Sequence, residues 1–361
     1  MNLSALSVKV VKEMNQKTKY RLPAEWEYHE ATWIGWPNNK QDWPGKFQPI
    51  PWVYGEIVRY ISRGEKVRII VQSKEHQQKA ELVLKAVDAE MSNVEFFKLE
   101  TDRNWLRDAG PQFVKNEKNE TVLINFKFNA WAKYDNYKLD SKIPKMISNK
   151  LKLDLIKAEY RNKEVVLEGG SIDYNGFGTI ITTEECLMDS ETQVRNNGFT
   201  KSDYEKVFGK YLGATNVIWL NKGITGDDTH GHVDDITRFV NKNTVVTAME
   251  IHPNDPNYLP LMENRELLED AKLEDGSNLE IVELPMPSPV VFKGERLPAS
   301  YANFYIANNT VLVPTFNDVN DKVALGILSE LFEDRKVIGI HAVDLVWGLG
   351  TLHCLTHEQV K

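Results

Sequence analysis

The chain has 361 residues, 42% of them hydrophobic and 10% aromatic, and no run approaches the roughly 18 consecutive apolar residues of a membrane-spanning helix, which excludes membrane insertion as a helix. Forty-four Lys and Arg against 52 Asp and Glu give a net charge of −8, and the basic residues are scattered singly, which excludes nucleic acid as a natural partner. Two cysteines, Cys186 and Cys354, are too few for a disulfide scaffold and point to a reducing, cytoplasmic setting.

In chain order, residues 1–20 read as an N-terminal extension in which Lys9, Lys12 and Lys17 surround a short amphipathic stretch without the apolar core of a secretion signal. Helices are predicted over 52–62, 74–88, 202–211 and 320–332. Strands are predicted in the runs 66–72, 93–100, 121–129, 178–188, 216–221, 244–250, 279–287, 310–316 and 336–343. This alternation defines an α/β protein. No Pro/Gly/Ser-rich linker divides it, so 1–361 is expected to form one domain. Strand pairs followed by helices suggest a repeated ββαβ unit without repetition of identical residues.

Five polar, glycine-bearing segments follow strands, where a rigid scaffold presents functional groups on loops. TDRNWLRDAGP (101–111) sets Trp105 and Asp108 beside a turn: an indole face attracts a planar cation and a carboxylate pairs with one, although Arg107 and Asp108 forming an ion pair is the competing structural reading. LEGGSID (167–173) carries Glu168, and SYANFYIANN (300–309) carries Asn303. GDDTHGHVDD (226–235) holds His230, His232 and four aspartates; on an extended strand His232 and Asp234 would share a side, as an acid/base next to a cation-binding carboxylate. The same residues, His230, His232 and Asp234, also follow an HxHxD metal-binding pattern, from which Asp235 departs because that pattern continues with His. GLGTLHCLTHE (348–358) places Cys354 after a glycine-rich turn, where nearby positive charge would favour a reactive thiolate. Cys186, in TTEECLMD, reads as structural.

In their order along the chain, RLPAEWEYHEATWIGWP (21–37), WLRDAGP, LEGGSID, DDTHGHVDD, SYANFYIAN and LHCLT resemble the agmatine deiminase and bacterial-type peptidylarginine deiminase family of guanidino-modifying enzymes. The resemblance implies a five-bladed α/β propeller of ββαβ units, the pentein fold, with its site on the central axis. It implies Cys354 as nucleophile, His232 as general acid/base, and Asp108 and Asp234 as guanidinium-binding carboxylates. Trp105 would line the pocket, with Asp228, Glu168 and Asn303 near it. Neither metal nor organic cofactor is implied. The expected partner is a small cationic guanidinium substrate, agmatine first and an arginyl peptide as the alternative, and homo-oligomerisation is expected at family level. Many members carry GGG-x-IHC where this chain has Leu349 and Leu352, so the contacts to the far end of the substrate are open. A metal-dependent hydrolase and a non-catalytic guanidinium-binding protein are the readings from other classes.

Overall fold

Helix Lys201–Leu212 shows how local sequence sets an element. Thr200 and Asp203 close a reciprocal capping box, with Asp203 N donating to Thr200 Oγ1 at 3.2 Å and Thr200 N to Asp203 Oδ2 at 3.0 Å. Tyr204, Val207, Phe208 and Tyr211 recur on one face and are buried. Gly213 ends the helix at φ +77°.

The computed structural model describes residues 20–361; the predicted amphipathic stretch with Lys9, Lys12 and Lys17 lies outside the described residues. Within them the same three-strand order occurs in five sheets: a short strand antiparallel to a central strand, which on its other side is parallel to a third. Central and third strands are Thr121–Asn125 with Leu155–Lys157, Thr179–Thr183 with Asn216–Leu220, Thr244–Met249 with Glu280–Pro285, Thr310–Thr315 with Lys336–His341, and His29–Gly35 with Lys66–Val71. A parallel pair needs a long crossover, and helices supply it: Ile143–Leu151, Lys201–Leu212, Tyr258–Asp270, Asp321–Leu331 and Ile50–Ile61. The antiparallel members are Gln112–Asn116, Ile172–Tyr174, Thr237–Phe239, Tyr305–Ile306 and Thr356–Val360. The last sheet joins the two ends of the described chain, because Thr356–Val360 pairs with His29–Gly35.

The α/β class and the ββαβ pattern agree with the sequence reading. All four predicted helices are present, but the crossovers Ile143–Leu151 and Tyr258–Asp270 were not foreseen; in the second only Leu261, Asn264 and Leu268 are buried, too few to leave a helical apolar stripe. The run 178–188 is not one strand. Thr183 accepts from Cys186 N at 3.1 Å and caps a short helix, Glu184–Met188, whose first turn is acidic. The short antiparallel strands escaped prediction because they are brief and carry buried charges. Arg238 pairs with Asp173 at 2.7 Å and with Glu25 at 3.0 Å, and Arg107 pairs with Glu358 at 2.8 Å and Glu25 at 3.2 Å. Breaking such a pair typically costs about 3–5 kcal/mol, because the abandoned partner stays buried. No helix among the described residues is long and apolar enough to cross a membrane.

Gly213 tests this account, because a Cβ there would stand 2.0 Å from the backbone oxygen of Tyr20 at a φ that L side chains disfavour. Gly213→Ala is expected to destabilise the protein by about 2 kcal/mol or more, read as a lower urea midpoint with unchanged slope.

Candidate active site

Each of the five antiparallel strands is preceded by one of the polar segments, folded into a turn. Asp108 lies in the short helix Leu106–Ala109, Glu168 precedes the 3-10 turn Gly169–Ser171, His232 precedes the 3-10 turn Val233–Asp235, Asn303 precedes Tyr305–Ile306, and Cys354 lies in the short helix Leu352–Leu355. Residues far apart in sequence thus converge. The expected extended strand at 232–234 is corrected: His232 has φ −59° and ψ 135° and Asp234 sits in the 3-10 turn, since Asp227 Oδ2 accepts from both Gly231 N and His232 N and bends the loop. The two side chains nonetheless face one cluster.

Gly170 makes that convergence sterically feasible. A Cβ there would lie 2.6 Å from His232 Nδ1, 3.0 Å from Asp234 Oδ2 and 3.1 Å from Asp108 Oδ1. Its N–H donates to Asp108 Oδ1 at 2.9 Å, and Trp131 Nε1 donates to Asp108 Oδ2 at 2.9 Å. Ala130, Trp131 and Ala132 all have positive φ, at 51°, 59° and 53°, a costly conformation for non-glycine residues that aims the indole at the carboxylate. Arg107 does not pair with Asp108; its ion-pair partners are Glu25 and Glu358.

His232 is fully buried, with Nδ1 at 3.9 Å from Asp108 Oδ1 and 4.0 Å from Asp234 Oδ1, and Nε2 at 4.0 Å from Glu168 Oε2. Neither ring nitrogen has a hydrogen-bond partner, nor does Asp234 Oδ1. Burial opposes the charged imidazole, but the Asp108 charge and the neighbouring Cys186 and Glu168 outweigh it and hold the His232 pKa well above its ordinary value. Burial raises the Asp108 pKa, reinforced by Asp234 and Glu168 against the pull of His232. For Asp234 the burial penalty is outweighed by the hydrogen bond and charge of His353, so its pKa is lowered. Glu168 is likewise brought down to about 2 against its burial penalty, chiefly by Arg195, which bonds it at 3.1 Å.

Cys354 Sγ accepts from Asn303 Nδ2 at 3.1 Å and lies 3.6 Å from Asp234 Oδ2. Burial and the charges of Asp234, Asp235 and Asp108 raise its pKa well above that of a free thiol. The sequence reading, in which nearby positive charge would favour the thiolate, is therefore corrected: the charges that act on Cys354 are carboxylates. A planar cation placed among them would reverse that effect.

Toward solvent, a cavity of about 470 Å³ is lined by Asp42, Arg103, Tyr134, Asp228 and Leu349, among others. Trp105 packs against Asp42 of this lining: Nε1 donates to Asp42 Oδ2 at 3.2 Å, and its ring would stand 2.9 Å from a Cβ on Gly350, a Cβ that would also lie 3.2 Å from Cys354 Sγ. Asp228 receives Lys133 Nζ at 2.5 Å and the Tyr134 hydroxyl at 2.7 Å, so it lies at the mouth rather than with the buried carboxylates. Arg103 pairs with Asp42 at 3.0 Å and stacks over Tyr134 at 3.7 Å. Burial pushes Asp42 up to about 7 against the opposing influence of Arg103 and Trp105. Leu349 adopts φ +65°, the left-handed region that suits a glycine.

The structure does not gather the predicted metal ligands: His230 bonds Asp189 at 2.8 Å from a positive-φ residue, apart from the cluster. Among the described residues, the one group of ligand-type atoms within 4.8 Å of one another is Glu168, Cys186 and His232. Cys186, read from the sequence as structural, thus lies beside Glu168 and His232. Nothing in the sequence marked this proximity, because Cys186 sits in a capped helix start and not in a glycine-bearing loop. Trp131, Arg195, His353 and Glu25 were also missed: each reaches the cluster from outside the five segments or by a contact that spacing does not reveal. A buried ring of carboxylates around an unpaired imidazole and a thiol can bind a compact cation and attack it with sulfur.

The family model for Porphyromonas-type peptidyl-arginine deiminases matches residues 21–359. The chain is similar to the agmatine deiminase of Pseudomonas aeruginosa, 30% identical over an alignment 364 positions long that covers 94% of this chain and 95% of the relative. It resembles the solved structure of an agmatine deiminase from C. jejuni with substrate bound, at 31% identity, a TM-score of 0.84 and coverage of 95% and 96% of the two chains. It also resembles the agmatine deiminase of Enterococcus faecalis, at 28% identity, a TM-score of 0.86 and the same 95% and 96% coverage.

Gly170→Ala is expected to leave a cooperatively melting protein whose affinity for a guanidinium-bearing ligand, measured by titration calorimetry, falls by at least about tenfold, since His232 or Asp234 must move to admit the methyl group.

Proposed function

Because this chain belongs to the Porphyromonas-type peptidyl-arginine deiminase family, we propose that it is a C–N hydrolase that deiminates agmatine, giving N-carbamoylputrescine and ammonia. One observation carries the chemical part of this reading. Two buried polar atoms without partners, His232 Nδ1 and Asp234 Oδ1, face each other and Asp108, with Asp234 also lying against the Cys354 thiol. Unpaired buried polar groups are costly in isolation and are accounted for by a polar ligand that satisfies them.

In this reading Asp108 and Asp234 hold the guanidinium nitrogens, and Glu168 with Arg195 fixes His232. The arriving cation offsets the carboxylate charge that raises the thiol pKa, and Cys354 releases its proton to solvent. The thiolate forms a bond to the central carbon. Protonated His232 gives its proton to an amino group, which leaves as ammonia as the C–N bond breaks, and an S-alkylthiouronium remains. His232, now neutral, deprotonates a water that adds to the same carbon. The C–S bond then breaks as the new hydroxyl group loses its proton to solvent, releasing the neutral ureido product and the thiolate. Asn303 steadies the sulfur by its hydrogen bond. No step calls on a metal or organic cofactor.

Trp105 would wall the pocket from behind Asp42, and Asp42 and Asp228 offer the distal ammonium of agmatine carboxylates that it would share with Arg103 and Lys133. Arg103 and Lys133 at the same mouth support a second reading, in which they meet the carboxylate of a peptide ending in arginine. The reading extends to architecture: the five sheets would stand as blades of a propeller about the site, in one catalytic domain residing in the cytoplasm.

Purified protein incubated separately with agmatine, free arginine and a peptide ending in arginine, with products followed by mass spectrometry, tests the assignment. Agmatine is expected to yield ammonia and N-carbamoylputrescine, with turnover abolished in Cys354→Ala and unchanged by chelator. Preferential turnover of the peptide would select the second reading, and absence of product from all three would reject both.

The raised thiol pKa gives a further expectation of definite sign. Alkylation of Cys354 by iodoacetamide in the substrate-free protein should be slow near neutrality and rise with pH to a midpoint above the ~8.5 of free cysteine. Peptide mapping distinguishes Cys354 from Cys186, and a midpoint at or below neutrality would contradict the electrostatic account.

A further inference from the structure

Beneath the carboxylate ring, His353, which the proposed reaction does not use, joins Asp234 to Glu25. Its Nδ1 lies 2.7 Å from Asp234 Oδ2 and its Nε2 lies 2.8 Å from Glu25 Oε2. Its backbone is held as well, because N–H donates to Asn303 Oδ1 at 3.0 Å and its carbonyl accepts from Arg107 Nε at 3.3 Å. Glu25 in turn is fixed on every side: Oε1 accepts from Ile306 N at 2.8 Å, and Oε2 meets Arg107 at 3.2 Å and Arg238 at 3.0 Å. His353, Glu25 and Asp234 are all buried.

Resting on the guanidinium-binding role given to Asp234, the geometry points to Glu25 and His353 as a positioning pair that orients this carboxylate, leaving Oδ1 open to the substrate. The chemistry of the contacts is restrictive. Ionised carboxylates only accept hydrogen bonds, so a ring bonded through both nitrogens to two of them must carry both protons. His353 is then an imidazolium, and its bond to Asp234 is charge-assisted and of defined direction. One Asp234 oxygen is thereby committed, and the other is the buried oxygen that has no partner. Asp234 is two residues from His232 and His353 is next to Cys354, so one ring also ties together the segments bearing the proposed acid/base and nucleophile.

The two nitrogens can be separated by substitution. An Asn amide overlays Nδ1 and retains a donor for Asp234, whereas a Gln amide overlays Nε2 and retains a donor for Glu25 only. Agmatine affinity is measured by calorimetry in the Cys354→Ser background, and KM and kcat are measured with Cys354 intact. His353→Gln is expected to weaken agmatine binding by at least about tenfold, the scale of one charge-assisted hydrogen bond, and to raise KM more than it lowers kcat. His353→Asn should recover a measurable part of both losses. Glu25→Gln, nearly isosteric, should weaken binding in the same sense by removing the charge that holds the imidazolium, and it carries the test if His353→Gln fails to fold. Folded variants with parental affinity and KM would overturn the inference, as would equal losses in His353→Asn and His353→Gln, which indicate a packing role alone. Failure of the unsubstituted protein to bind or turn over agmatine would instead reject the underlying functional reading.

Discussion

Asp108, Glu168, Asp234 and Asp235 are buried together around the His232 imidazole and the Cys354 thiol, and their mutual repulsion is the constraint that the surrounding structure answers. Carboxylates taken out of water are stable only when paired or protonated. The molecule uses both solutions. Arg195 and His353 keep Glu168 and Asp234 ionised, while burial and the charges of Asp234 and Asp227 push Asp235 well above the ordinary carboxylate range. The result is a polar pocket in which Asp234 Oδ1 is still without a partner, a cost that a hydrogen-bond-donating ligand would remove.

Compensation reaches well beyond the pocket. Arg107 and Arg238 anchor Glu25 below the site, and Asp173 and Glu358 complete that buried layer from strands of two other sheets. Because these strands are the ones that follow the site-bearing turns, the interactions that neutralise the charged residues also align the turns. Stability and function are therefore coupled through the same side chains, and a substitution in the lower layer alters carboxylate geometry above it.

The backbone is shaped to the same end. Gly170 brings a main-chain N–H against Asp108 where a Cβ would collide with His232, and the left-handed run at 130–132 turns Trp131 onto the other oxygen of the same carboxylate. Such conformations persist only where surrounding contacts over-determine them. Here packing of Trp131 edge-on against Phe128 and Tyr134 supplies that support.

Read alone, the sequence determined the α/β class, most parallel-pair strands and the five polar segments, because apolar periodicity and glycine-bearing turns are local properties of the chain. It also singled out Cys354, His232, Asp108 and Asp234 through their order and spacing. Tertiary structure alone decided that His230 turns away to Asp189 and that Asp228 stands at the mouth, because loop direction follows side-chain to backbone bonds such as those of Asp227. It alone brought Cys186, Trp131 and Arg195 to the cluster and joined Glu25 to His353 across the length of the chain. Charge compensation acts through space over a few ångströms, and neither hydrophobic period nor motif spacing records which distant partner will supply it.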